Sequence, residues 1–119
     1  MNALRPVACA CALLVINNLR DVESDRTVHK RTMVVRLGED FARIEIAFFA
    51  FAPFFAEMFI AQLKGRDWML LPLGAAFIAL ALIRRVFGAS GGELNRCLAM
   101  AGGLQWAFGI LFVIGTLIR

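Results

Sequence analysis

Residues 41–63 read FARIEIAFFAFAPFFAEMFIAQL, an apolar run long enough to cross a bilayer as a single helix. Three more apolar segments flank it, at residues 3–18, 68–83 and 98–118. Of the 119 residues of the chain, 61% are hydrophobic, whereas a soluble domain usually has ~45–50%. The sequence therefore predicts an all-α fold, a polytopic transmembrane bundle of about four membrane helices that forms a single domain over residues 1–119.

Lysine and arginine are unevenly distributed between the loops that join these segments. The formal charge of +4 is consequently no sign of nucleic-acid binding, and no nucleic acid is expected as a partner. If the loop after the first segment is cytoplasmic, both termini and Trp68 lie at the outer side, and the positive-inside rule is obeyed. Nine cations then lie inside (Arg20, Arg26, Lys30, Arg31, Arg36, Arg43, Arg84, Arg85, Arg96) and four outside (Arg5, Lys64, Arg66, Arg119).

The most polar part of the chain follows the first apolar segment, at residues 17–38, NNLRDVESDRTVHKRTMVVRLG. On a helix, Asn17, Asp21 and Asp25 share one face, because they are four residues apart. Carboxylate and amide oxygens suit Mg²⁺, which shares its coordination shell with water and substrate phosphates. The cations that follow in this segment, Lys30, Arg31 and Arg36, suit the phosphates themselves. A charged cytoplasmic loop would have the same composition, so the spacing leaves both interpretations open.

The other polar residues are interpreted structurally. His29 is expected to be a solvated loop residue, and Glu57 is expected to reach the outer membrane interface. Ser90 and Glu93 have the spacing of a capping box for the final helix. The phenylalanines of residues 41–63 could line a channel for an isoprenoid tail, or they could face lipid and neighbouring helices. The three cysteines have no metal-ligand spacing.

The stretch N-N-L-R-D-V-E-S-D followed by H-K-R-T-M-V-V-R-L-G resembles the second aspartate-rich motif of the UbiA superfamily of intramembrane prenyltransferases. Within that superfamily the pattern is similar to the branch that prenylates 1,4-dihydroxy-2-naphthoate in menaquinone synthesis, as are Leu94–Asn95 and Leu98–Ala99. The resemblance implies the C-terminal portion of a nine-helix fold in which two aspartate-rich motifs face each other across a cavity. The first motif, N-D-x-x-D, has no counterpart here, because Asp40 and Asp67 are isolated. The pattern usually has glycine where this chain has His29.

The resemblance also implies an enzyme: a Mg²⁺-dependent prenyltransferase of the bacterial inner membrane, with its motif on the cytoplasmic side. The metal joins the motif to the diphosphate of a polyprenyl donor, and the aromatic acceptor attacks the allylic carbon as its carboxyl group is lost. Because half of the site is absent, the chain alone is expected to be inactive and to need the missing N-terminal helices as partners. The site residues so implied are Asp21 and Asp25 as catalytic metal ligands, with Asn17, Asn18, Arg20 and Lys30 as diphosphate contacts.

Three alternatives remain. One is a UbiA-type enzyme with another aromatic acceptor. Another is a non-catalytic membrane protein that binds lipid or a partner subunit. A third is a small cation transporter, which is disfavoured because the apolar segments contain no second cluster of ionisable residues to continue a pathway.

Overall fold

The computed structural model describes residues 4–118, and side chains at residues 7–67 and 70–118. Within this range the structure contains helices and no strand, which confirms the all-α prediction. The position predicted for Trp68 in an aromatic belt lies outside the described side chains. The helices are α1 (Leu4–Arg20), α2 (Val22–Thr27), α3 (Met33–Leu37), α4 (Glu39–Lys64), α5 (Ala76–Gly88) and α6 (Leu94–Leu117), with 3₁₀ segments at Asp67–Ala75 and Gly91–Glu93.

Three helical segments are long and apolar enough to cross a membrane: Glu39–Lys64, Leu70–Gly88 and Gly91–Leu117. The first apolar helix is shorter, since the 17 residues of α1 extend about 26 Å at ~1.5 Å per residue. The third span begins as a 3₁₀ helix around Pro72, which lacks a backbone N–H. A 3₁₀ helix rises ~2.0 Å per residue, so this short span gains length in its first half.

The spans pack as a bundle in which α4 and α6 each lie between α1 and the third span. Phe54 of α4 and Phe108 of α6 meet edge to face in its interior, with ring centroids 5.3 Å apart. Small residues, including Ala42, Ala79 and Ala101, are buried along the helix contacts. Small side chains allow helices to approach closely where no hydrophobic effect drives them together, as in a bilayer.

Hydrogen bonds join the chain segments at both ends of the bundle. At the end that carries residues 17–38, here called the motif end, Arg43 of α4 donates to the carbonyls of Val86 and Ala89, each at 3.2 Å. At the opposite end, Arg66 donates to the carbonyl of Ile118 at 3.3 Å. The motif end therefore gathers the end of α1, the start of α4, the end of α5 and the start of α6. The cations of these segments therefore lie at one end of the bundle, and the side of the membrane that this end faces stays a prediction.

Glu57 is not at an interface, and that prediction is wrong. The residue is 0% exposed. Its position explains this, because Pro53, Phe54, Ile60 and Ala61 are also buried and lie three or four residues away on the same face of α4. Counting turns from the helix end indicated the depth of Glu57 along α4 but not the face on which it lies.

The phenylalanines of α4 are divided between two faces. Phe54 is buried, whereas Phe41, Phe48 and Phe55, spaced by seven residues, are 42%, 66% and 68% exposed. Most of this aromatic surface therefore points out of the bundle.

Candidate functional site

The two motif aspartates occupy successive turns of a nearly continuous helical path. Helix α1 ends at Arg20, and α2 begins at Val22. Across this break the N–H of Asp21 still donates to the carbonyl of Asn17 at 3.1 Å, and that of Asp25 to the carbonyl of Asp21 at 2.8 Å. The break therefore preserves the four-residue spacing of Asn17, Asp21 and Asp25 on which the predicted site depends.

The end of α2 is a Schellman turn that returns the chain towards Asp25. The N–H of Lys30 donates to the carbonyl of Asp25 at 2.9 Å, and the N–H of His29 to that of Arg26 at 3.2 Å. His29 has φ of 56°, the left-handed conformation that glycine adopts most easily. This is the position at which the family pattern usually has glycine. The backbone geometry gives a physical reason for that glycine, and it shows that histidine adopts the same turn.

The turn brings the ammonium of Lys30 to 3.4 Å from Oδ1 of Asp25. The side chain of Asp25 is 9% exposed, while that of Lys30 is 60% exposed. The other oxygen of Asp25, Oδ2, is buried and accepts no hydrogen bond within the described residues. A buried carboxylate oxygen without a donor is costly unless a cation or water completes its contacts.

Asp21 is held differently. Nε and Nη2 of Arg20 donate to its two carboxylate oxygens at 2.8 and 2.9 Å. These hydrogen bonds lower the pKa of the Asp21 carboxyl below its usual range, because they favour the ionised form. The third guanidinium nitrogen of Arg20, Nη1, donates to Oδ1 of Asn95 at the start of α6, at 3.0 Å. The guanidinium thus links the motif to the last helix.

Asn17 and Asn18 are half-buried near the end of α1. Neither of their side chains is involved in a hydrogen bond within the described part of the chain. Close to this region lies a cavity of about 370 Å³, here called the motif-side cavity. Its lining includes Arg20, Glu23, Glu39, Arg43, Ser90 and Leu94, but neither motif aspartate.

The arrangement fits a divalent cation that brings some ligands of its own. No group of three or more histidine, cysteine, aspartate or glutamate side chains converges among the described residues. The motif instead has two aspartates one helical turn apart, and Oδ2 of Asp25 accepts no hydrogen bond from the described residues. Mg²⁺ suits such a site, because it commonly binds one or two carboxylates and completes its shell with water and phosphate oxygens.

Two residues that organise this end could not be identified from the local sequence. Asn95 holds Arg20 from 75 residues away. Arg43 fixes the end of α5 to the start of α4 and is ion-paired with Asp40 at 3.3 Å and Glu39 at 3.7 Å. The available signals were weak: an Asn95 that is part of the family resemblance, and an arginine one turn inside an apolar helix.

The sequence matches the UbiA prenyltransferase family over residues 6–109. A 1,4-dihydroxy-2-naphthoate octaprenyltransferase of Mycobacterium tuberculosis is 32% identical over 86 residues, which are 72% of this chain and 29% of that protein. The Escherichia coli protein of the same name is 65% identical over 34 residues, 29% of this chain and 11% of that protein.

The chain therefore spans less than a third of either relative in the matched regions. No solved structure matches it. The family match covers most of the chain, including the residues 17–38 motif and the start of α6. The chain belongs to the UbiA prenyltransferase family.

Proposed function

We propose that this chain is the part of a prenyltransferase that carries its second aspartate-rich motif. In the whole enzyme, a polyprenyl group is transferred from a polyprenyl diphosphate to 1,4-dihydroxy-2-naphthoate, in menaquinone synthesis. The two relatives named above support this acceptor, since both carry it in their names. The short share of those relatives that is matched supports the further proposal that the chain alone is inactive.

The observation that carries the proposal is the environment of Asp25. Its carboxylate is buried in the short helix α2, beside an exposed ammonium, with one oxygen that lacks a donor. A solvated loop would leave such an aspartate exposed, which is why the motif is better explained as a cation site than as an ordinary charged loop.

Each motif residue has a definite role in this proposal. Asp21 and Asp25 would hold Mg²⁺, with Asn17 and Asn18 beside it. When bound, Mg²⁺ stabilises the negative charge of the diphosphate as it leaves. Lys30, with its exposed ammonium, contacts the diphosphate directly.

Arg20 differs from Lys30, because its guanidinium is already bonded to Asp21 and Asn95. It keeps Asp21 ionised and fixes the orientation of its carboxylate. Its contact with diphosphate would require one of these hydrogen bonds to be exchanged for a phosphate oxygen.

A chimera tests the proposal. The stretch of the Mycobacterium tuberculosis relative that aligns with this chain is replaced by this chain, and the purified membrane protein is assayed with octaprenyl diphosphate and 1,4-dihydroxy-2-naphthoate. We expect magnesium-dependent prenyl transfer by the chimera and none by the 119-residue chain alone. A folded, membrane-inserted chimera without transfer would contradict the catalytic proposal and favour a non-catalytic membrane protein.

The acceptor is tested in the same assay. 1,4-Dihydroxynaphthalene, which lacks the carboxyl group, is compared with the naphthoate. Preference for the naphthoate supports the proposed acceptor. Equal or better transfer to 1,4-dihydroxynaphthalene would favour the second candidate, a family member with another aromatic acceptor.

The membrane orientation is a further part of the proposal: a bacterial inner membrane, with the motif end facing the cytoplasm. Single cysteines are introduced by His29→Cys or Gly65→Cys after the three native cysteines are changed to serine. An impermeant thiol reagent added to intact cells should label position 65 and not position 29. Labelling of position 29 alone would reverse the orientation.

A further inference from the structure

A second cavity, of about 680 Å³, opens at the motif end between the last turn of α5 and the first turn of α6. Three arginines line it: Arg84, Arg85 and Arg96. The turn of residues 88–93 separates it from the motif-side cavity, since Ser90 and Gly91 line that cavity and residues 92–93 line this one. We call it the arginine cavity.

The three arginines are not neutralised within the described part of the chain. Arg20, Arg26 and Arg43 each form an ion pair with a carboxylate. Arg84, Arg85 and Arg96 are exposed and form neither an ion pair nor a side-chain hydrogen bond with the described residues. The cavity therefore concentrates unpaired guanidinium groups in one place.

The one carboxylate in the lining, that of Glu93, offsets only one of these three charges. Oε2 of Glu93 accepts a hydrogen bond from the N–H of Ser90 at 3.3 Å, as part of the capping box that begins the turn into α6. That contact confirms the predicted capping box. It also directs the one acidic side chain of the lining to the backbone, where it caps the turn.

The cavity lies at the ends of two segments that are apolar enough to cross a membrane, Leu70–Gly88 and Gly91–Leu117. The phosphates of a bilayer lie just beyond its hydrocarbon core, at the level where such helices end. Guanidinium groups bind phosphate oxygens in pairs, and basic pockets between transmembrane helices bind anionic headgroups.

We propose that the arginine cavity binds a phosphate-bearing anion through Arg84, Arg85 and Arg96. The phosphate can come from the headgroup of an anionic phospholipid or from free phosphate in solution. This site is separate from the motif and does not depend on prenyl transfer.

The lipid source is tested by native mass spectrometry of the chain in neutral detergent, titrated with phosphatidylglycerol or with zwitterionic phosphatidylcholine. The test variant combines Arg84→Gln, Arg85→Gln and Arg96→Gln. The matched control combines Arg26→Gln, Arg31→Gln and Arg36→Gln, three exposed cations at the same end that lie outside the cavity. Each variant removes three charges, so net charge is the same in both.

We expect the wild-type chain and the control to retain one phosphatidylglycerol at least five- to tenfold more than the cavity variant does, with no such preference for phosphatidylcholine. The single change Arg96→Gln should give an intermediate loss, and it guards against misfolding of the triple variant. Circular dichroism checks that each variant is folded.

The soluble source is tested by thermal unfolding in the same detergent, in sodium phosphate or in sodium chloride of equal ionic strength. A ligand that binds only the folded chain raises its Tm. A phosphate-specific rise that the cavity variant loses, without selectivity for phosphatidylglycerol, assigns the site to free phosphate. Selective lipid retention without that rise assigns it to a headgroup. Equal losses in both triple variants, or neither effect in the wild-type chain, would overturn the proposal.

Discussion

The end of α2 and the end of α4 have the same backbone turn at opposite ends of the bundle. In both turns the N–H of the residue after the left-handed position donates to the carbonyl five residues back: Lys30 to Asp25 at 2.9 Å, and Arg66 to Ala61 at 3.3 Å. The residue at the left-handed position has φ of 56° in one case and 59° in the other. That residue is His29 at the motif end and Gly65 at the opposite end.

The difference shows what each turn does. The turn at Gly65 joins two membrane segments with the residue that adopts left-handed backbone most cheaply. The turn at His29 places a backbone penalty beside a buried carboxylate and brings the ammonium of Lys30 to it. Strain of this kind is commonly found at functional sites, where the surrounding structure maintains it. The two ends can therefore be tested against each other.

The largest difference between the ends should appear in catalysis. In the complete enzyme, Asp25→Asn should lower kcat by ~10²–10³, because it removes a charged metal ligand from a water-poor site. Asp67→Asn, an exposed carboxylate at the opposite end, should leave kcat unchanged. Steady-state prenyl transfer measures both. If both variants lost kcat equally at equal expression, catalysis could no longer be assigned to the motif end.

Asp67 is the appropriate control in place of Glu57. Because Glu57 is 0% exposed within the bundle, its substitution can change folding as well as charge. Glu57→Gln would be a neutral control only at the interfacial position predicted from the sequence, which the structure does not support.

The next difference is in stability. Arg43→Ala should lower the free energy of unfolding by about 2–3 kcal/mol, since the guanidinium is 13% exposed and bonds two carbonyls at the end of α5. Arg66→Ala should change it by less than about 0.5 kcal/mol, because that arginine is exposed. Unfolding in mixed detergent micelles provides the comparison. A larger loss for Arg66 would mean that the opposite end is the more tightly joined.

The turn residues themselves should have opposite effects. His29→Gly should stabilise the chain by up to about 1 kcal/mol, because it removes the left-handed penalty of a side chain. Gly65→Ala should destabilise it by about 1 kcal/mol, and that cost is purely conformational, since an added Cβ would meet nothing within 4 Å. The same unfolding assay measures both. If His29→Gly were destabilising, the imidazole would have a role beyond the turn.

The smallest effect is expected in pH dependence. Because Arg20 lowers the pKa of Asp21 in the folded chain, their interaction contributes stability above the ordinary aspartate pKa, about 3.8. That contribution falls as the pH drops from this value through the lower folded pKa. The Asp21→Asn variant should lack this component, so its unfolding curves between pH 5 and 2 should differ in slope from those of the wild-type chain. Identical slopes would show that the ion pair is not maintained.

The features that the sequence predicts well are those that depend on residues close together in the chain. Long apolar runs located the spans, and Ser90 with Glu93 predicted the capping box. The environment of Glu57 was missed because an apolar run of membrane length shows no polar face from which to read orientation. The partners of Arg20 and Arg43 were missed because they lie 75 and 43 residues away in the chain. The spacing of Asp21 and Asp25 was evident, but the burial of Asp25 is a property of the packed fold that spacing does not show.

The hydrogen bond between Arg20 and Asn95 also sets an order of events during synthesis. Asn95 is made 75 residues after Arg20, when the sequences of α4 and α5 have already been synthesised. The motif is thus made early, with its arginine still free of this partner. Its final arrangement forms only when the start of α6 arrives. A ribosome that stalls, or a protease that cuts, before Asn95 would leave an inserted product whose motif has the right residues but not their final positions.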